Sequence, residues 1–242
     1  LERVNQPAVT VRVRAIDDDG VQGEMRKVFY VSPDEDIMPG FPVQMGASGE
    51  SSPVLIDLDD DGILEIVIGT ADGVVLAVRG DGTAVEGWPV QVDDRLDIHR
   101  DGAGYASGAV DPGTGDFFIA TVGAGDLDGD GVLEVIGATG WGGIYAWNLD
   151  GSRVDGFPYW SIGRTPEEMS VDYTYDQGFM GAPSMRDLDG DGTDEIVIGG
   201  MDGRLYVVDG TGSDWGPYPI EICFPGSPDR DFEDRMCGVM GD

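Results

Sequence analysis

Apolar residues in this chain come in short runs that recur at a fixed spacing. Glu65-Ile66-Val67-Ile68-Gly69, Glu134-Val135-Ile136-Gly137 and Glu195-Ile196-Val197-Ile198-Gly199 are brief stretches ending in glycine, which read as buried strands. A glycine turn follows each (Asp72-Gly73, Trp141-Gly142-Gly143, Asp202-Gly203), then a further strand over 74–78, 144–147 and 204–208. Asp-Gly between two apolar runs predicts a tight hairpin. One more apolar stretch precedes each unit: Pro53-Val54-Leu55-Ile56, Ile119-Ala120-Thr121-Val122 and Ala182-Pro183-Ser184-Met185. Each unit closes near a glycine, an aromatic residue and a proline, as Gly87-Trp88-Pro89, Gly156-Phe157-Pro158 and Gly216-Pro217-Tyr218-Pro219. The pattern predicts an all-β chain with four strands per unit, and antiparallel sheets repeated at this period predict blades of a β-propeller around 46–91, 117–160 and 180–222.

Between the first and second strand of each unit lies the same acidic loop, Asp-x-Asp-x-Asp-Gly-x-x-Glu, as Asp57 to Glu65, Asp126 to Glu134 and Asp187 to Glu195. Alternating acids let a tightly wound chain turn Asp57, Asp59 and Asp61 toward one centre, with the Ile63 carbonyl and Glu65 completing an oxygen shell. The matching sets are Asp126, Asp128, Asp130, Val132 and Glu134, and Asp187, Asp189, Asp191, Thr193 and Glu195. An all-oxygen shell of this kind suits Ca2+, which accepts six to eight oxygens in flexible geometry, better than Mg2+, which keeps its waters. Without a cation, two carboxylates about 5 Å apart repel by roughly 3 kcal/mol at an effective dielectric of about 20, so cation binding is expected to support folding. An EF-hand begins similarly but needs a bidentate Glu at its twelfth position, where this chain has Ile68, Gly137 and Ile198.

The units resemble FG-GAP or VCBS repeats, the calcium-loop blades of integrin α heads and of many bacterial surface and secreted proteins. The resemblance covers roughly residues 40–242 and departs in having Gly-aromatic-Pro where a Phe-Gly is usual. It implies a secreted or cell-surface module that serves adhesion or protein recognition and is not itself an enzyme. Two alternatives are a carbohydrate-binding module and the propeller domain of a polysaccharide-degrading enzyme. Residues 1–33 differ in kind: Val9 to Ala15 alternates with period two and Arg26 to Val31 follows an acidic turn at Asp17-Asp18-Asp19-Gly20. They resemble the last strands of an immunoglobulin-like module, so the domains are expected to be 1–33 and 34–242. Residues 236–242 align with the start of a further unit, which makes Asp242 the first ligand of a fourth loop and the remainder of the propeller a natural partner.

Parity of strands places the acidic loops on one end of the blades and the long insertions, 93–116 and 159–180, on the other. Trp141, Tyr159, Trp160, Tyr173 and Tyr175 are expected there as a face for a protein or glycan ligand, or else as aromatics packed down over the blade ends. Cys223 and Cys237 are either a disulfide or two independent thiols; an extracytoplasmic setting favours the disulfide. His99 reads as a surface-loop residue and Arg79-Gly80-Asp81 as turn chemistry. A net charge of -33 argues against nucleic acid and anionic membrane surfaces as partners, and no apolar run reaches the length of a membrane span.

Overall fold

The computed structural model of the chain describes residues 8–30, 38–58, 61–93, 116–161 and 178–221. The chain divides into two compact units, Leu1–Pro42 and Val43–Asp242. In the first, β1 (Ala8–Ile16) and β2 (Gln22–Tyr30) pair antiparallel from Ala8↔Tyr30 to Ile16↔Gln22. The turn is closed by Asp17, whose carboxylate accepts the Asp19 and Val21 N–H groups. Alternation sends Val9, Val11, Val13 and Met25 to one face, all solvent-exposed, and Arg12, Arg14 and Arg26 to the other, where they gather on Glu24.

Among the described residues the second unit holds three four-stranded antiparallel sheets, each joined in sequence order. The first is β3 (Val54–Ile56), β4 (Glu65–Gly69), β5 (Val74–Val78) and β6 (Val90–Gln91). The second is β7 (Gly123–Gly125), β8 (Glu134–Ala138), β9 (Gly143–Trp147) and β10 (Tyr159–Trp160). The third is β11 (Ser184–Arg186), β12 (Glu195–Gly199), β13 (Arg204–Val208) and β14 (Ile220–Glu221). Their registers coincide: the residue before each acidic loop pairs with the Glu that ends it, as Ile56↔Glu65, Gly125↔Glu134 and Arg186↔Glu195. Among the described residues there is no helix, and the sheets do not close into a ring.

One strand differs from the sequence reading. The first strand of the second sheet is Gly123–Gly125, not the more apolar Ile119 to Val122. Register requires it, because the strand must end where the loop begins, and packing permits it, because Met185 of the third sheet fills the space that side chains would occupy. A Cβ on Gly123 would lie 2.3 Å from Met185 Cε, and one on Gly125 would lie 2.6 Å from Met185 Cβ.

The middle sheet is buried on both faces. Val135, Tyr145 and Trp147 pack with Val67, Val75 and Phe118 toward the first sheet, while Ile136, Ile144 and Ala146 pack with Ile196, Tyr206 and Phe179 toward the third. Alternate residues of β8 and β9 thus serve two cores. Backbone hooks join the sheets: the Phe118 N–H donates to the Thr70 carbonyl, and the Phe179 N–H donates to the Thr139 carbonyl. Both phenylalanines are fully buried.

Candidate metal centres

The acidic loops share most of their internal wiring. The first Asp uses both oxygens as acceptors within the loop: Asp57 takes the Asp61 and Gly62 N–H groups, Asp126 those of Gly129 and Gly131, and Asp187 those of Gly190 and Gly192. The third Asp caps the seventh residue, accepting the Ile63, Val132 or Thr193 N–H at 2.7, 2.7 and 2.8 Å. The sixth residue must take a positive φ, and the glycines there do so, at 82° for Gly62, 87° for Gly131 and 97° for Gly192.

The closing glutamates are buried in every loop. Glu65, Glu134 and Glu195 are 1%, 4% and 1% exposed, and in each case Oε2 accepts the N–H of the loop's second residue, Leu58, Leu127 or Leu188, at 2.8 Å. One oxygen therefore ties the start of the loop to the start of the next strand. Burial is the main cause that raises the pKa of Glu134 above its ordinary value; the Leu127 N–H opposes it, and the charges of Asp128, Asp126 and Asp130 add to it. Glu195 is raised in the same way, with Asp189, Asp191 and Asp187 as the neighbouring charges. Asp191 at the loop surface is lowered by the Thr193 hydroxyl and N–H that it accepts.

The carboxylates converge in two loops as far as an ion would need. Ligand atoms of Asp126, Asp128 and Glu134 lie within 4.8 Å of one another, and so do those of Asp187, Asp189 and Asp191. Two oxygens on opposite sides of one calcium ion at 2.3–2.6 Å stand about 5 Å apart, so both clusters fit a single divalent cation with hard oxygen ligands. These two clusters can hold a metal ion. Each draws three acids from the five-residue set read from sequence, and not the same three: the second loop brings in its Glu and the third loop its third Asp. In the first loop Asp59 lies outside the described residues; Asp61 and Glu65 make the hydrogen bonds of their counterparts, and Asp57 shares the bond to the sixth residue but takes the fifth residue's N–H where Asp126 and Asp187 take the fourth's.

The aromatics expected on the opposite end are largely spent on packing. Trp141 is 7% exposed, so its indole is not displayed to a partner. Tyr159 and Trp160 are half-buried: the Tyr159 hydroxyl donates to Asp214 of the third sheet at 2.7 Å with its ring edge-on to Tyr206, and Trp160 stands edge-on to Tyr145. Tyr173, Tyr175, Cys223, Cys237, His99 and Asp242 lie outside the described residues. Arg79-Gly80-Asp81 is a turn, closed by the Asp81 carboxylate accepting the Thr83 N–H and hydroxyl, as Asp150 does with Ser152 in the next sheet.

Sequence reading missed Asp194. It occupies the eighth position of the third loop, where the other loops have Leu64 and Leu133, and it reaches across to the second sheet. Its N–H donates to the Asp126 carbonyl at 2.7 Å while its Oδ2 accepts the Asp126 N–H at 3.1 Å. The departure from leucine was visible in the alignment of the loops, but not which neighbour it would meet.

No protein-family model matches this chain, and no curated protein does. Among solved structures it is similar to BBS1N in crystals of its complex with ARL6DN, soaked with lead or with mercury. The TM-score is 0.46 in both, at 13% and 12% identity over 87% of this chain and 52% and 53% of the other. It is also similar to the rhamnogalacturonan lyase PL11 of Bacillus licheniformis, with TM-score 0.41, 19% identity, and 86% of this chain matched to 42% of that one. The chain spans about half the length of these proteins or less. Likenesses this distant do not bear on function.

Proposed function

We propose that this chain is a calcium-binding segment of a β-propeller of the FG-GAP-like group, serving as a structural and recognition module of a secreted or cell-surface protein. The observation that carries the reading is the threefold loop: the same hydrogen bonds to its second, sixth and seventh residues, one buried Glu and one position in the sheet register, used in three consecutive sheets. A loop of this kind is a costly way to make a turn. It sets several carboxylates side by side on a chain that already carries a net charge of -33, and only a bound cation turns that repulsion into cross-linking. Calcium is favoured because every side-chain donor is a carboxylate and no nitrogen or sulfur enters either cluster.

In this role the residues divide the work. Asp126, Asp128 and Glu134, and Asp187, Asp189 and Asp191, would hold the ion, which supplies charge neutralisation and cross-linking of the loop. The Leu127 and Leu188 N–H groups orient the buried glutamates, and the glycines at the sixth position let the chain wind tightly enough to aim the acids inward. An extracellular setting, where calcium is millimolar, would keep even loops of modest affinity filled. Adhesion or protein recognition follows from the resemblance of the repeats, and a rigid, metal-fastened scaffold suits it. Isothermal titration calorimetry of the chelator-stripped chain with CaCl2 tests the cation claim: saturable binding is expected, and absence of binding heat together with an unchanged melting curve would refute it.

A further inference from the structure

Resting on the reading of the loops as cation sites, we infer that the second and third loops bind cations cooperatively through Asp194, and that the first loop binds independently of the second. The two loops meet at one peptide. Asp126, the first ligand of the second loop, has both backbone groups gripped by Asp194. Asp194 stands between Thr193 and Glu195, the two residues that close the third loop. The backbones are also in close approach there, since a Cβ on Gly129 would lie 3.2 Å from the Gly192 carbonyl oxygen.

A cation seated on Asp187, Asp189 and Asp191 orders the loop that carries Asp194, whose far side is already tied down by the buried Glu195, and Asp194 in turn fixes the peptide of Asp126. The side chain of Asp126 is already oriented by the Gly129 and Gly131 N–H groups, so immobilising its backbone completes the placement of that ligand before any ion arrives in the second loop. Ordering done by the first ion need not be repeated for the second, which is positive coupling without a change of shape. Linkage makes it reciprocal: the factor by which either site helps the other is the same. At the equivalent place the second loop carries Leu133, whose side chain has no acceptor, and among the described residues no such pair joins Asp57 to Leu133. Asp194 is thus a positioning residue that acts through Asp126.

The test follows the amide resonances of Gly131 and Gly192 during a calcium titration of the full chain; each donates to the first Asp of its own loop. The wild type should give curves steeper than a single site at both amides. Asp187→Asn with Asp191→Asn should weaken calcium binding read at Gly131 by about fivefold or more, the lower end of usual couplings. Asp57→Asn with Asp61→Asn should leave it unchanged. Asp194→Leu, which copies the other loops, should return both amides to single-site curves, and Asp194→Asn, which keeps an acceptor oxygen, should retain the coupling. If the loop variants do not fold, the single Asp194→Leu comparison still decides. Single-site curves in the wild type, or coupling that survives Asp194→Leu, would overturn the inference while leaving calcium binding intact. No calcium-dependent shift at either amide would overturn the underlying reading as well.

Discussion

A carboxylate buried at the root of an acidic loop has two ways to shed its charge: it takes a proton or it shares a cation. Glu134 and Glu195 are raised above the ordinary value of 4.5, chiefly by burial, so the folded chain without an ion holds their protons more tightly than the unfolded chain does. The sign follows directly. Their contribution to stability in the absence of cations is fully present below 4.5 and is lost as pH rises through the raised values. With calcium the order reverses, because protons compete for the ligands. Melting temperatures of the chelated chain are therefore expected to fall as pH rises from 4.5 through the raised values, whereas the increment gained from calcium should grow over the same range. A calcium increment independent of pH would contradict the role given to the glutamates. Glu134→Gln separates the two effects at one residue. Its amide oxygen can still accept the Leu127 N–H, so the chelated variant should melt a few degrees higher, about what 1 kcal/mol does in a chain of this size, while its response to calcium shrinks. The loop's acids, its glycine turn and its closing Glu were legible in the sequence because their spacing is local. The partners of Tyr159 and Asp194 were not, because they are set by the neighbouring unit of the repeat.

At the scale of the element, β7 shows where sequence pattern misleads. Glycine has low strand propensity, and Ile119 to Val122 offered a better apolar run a few residues earlier. What decides the strand is the loop: Gly125 must pair with Glu134 just as Ile56 pairs with Glu65, and the missing side chains leave room for Met185. β4, β5, β12 and β13 were readable because each combines a sharp glycine boundary with an apolar run of the right length. The packing account predicts that Gly123→Ala destabilises the chain by about 1–3 kcal/mol, the usual cost of overpacking a filled site, and that adding Met185→Ala, which removes the Cε lying 2.3 Å from the new Cβ, recovers part of the loss. Denaturant unfolding in saturating calcium measures both, and a neutral Gly123→Ala would show that Met185 does not fill that space.

For the whole molecule, the repeat pattern conveyed the order of the sheets and the place of the acidic loops, since both recur with the same offsets along the chain. It conveyed less about the sheet faces. That the middle sheet would be buried on both sides follows from its neighbours, not from its own sequence, although the lack of any polar residue in Ile144 to Trp147 other than a tyrosine is consistent with it. The net charge of -33 is the dominant whole-chain property, and it makes the account quantitative in one direction. In chelator, raising NaCl from about 0.01 to 0.15 M shortens the Debye length from about 30 to 8 Å and should raise the melting temperature by screening self-repulsion. If the loops are cation sites, calcium does something that screening does not, because it acts at millimolar concentration on particular carboxylates. The most direct measurement is a pair of thermal melts of the 242-residue chain at neutral pH and fixed 0.15 M NaCl, one with excess chelator and one with about 1 mM calcium. The account predicts a calcium melt higher by several degrees and reversed on adding chelator; coincident curves would contradict it.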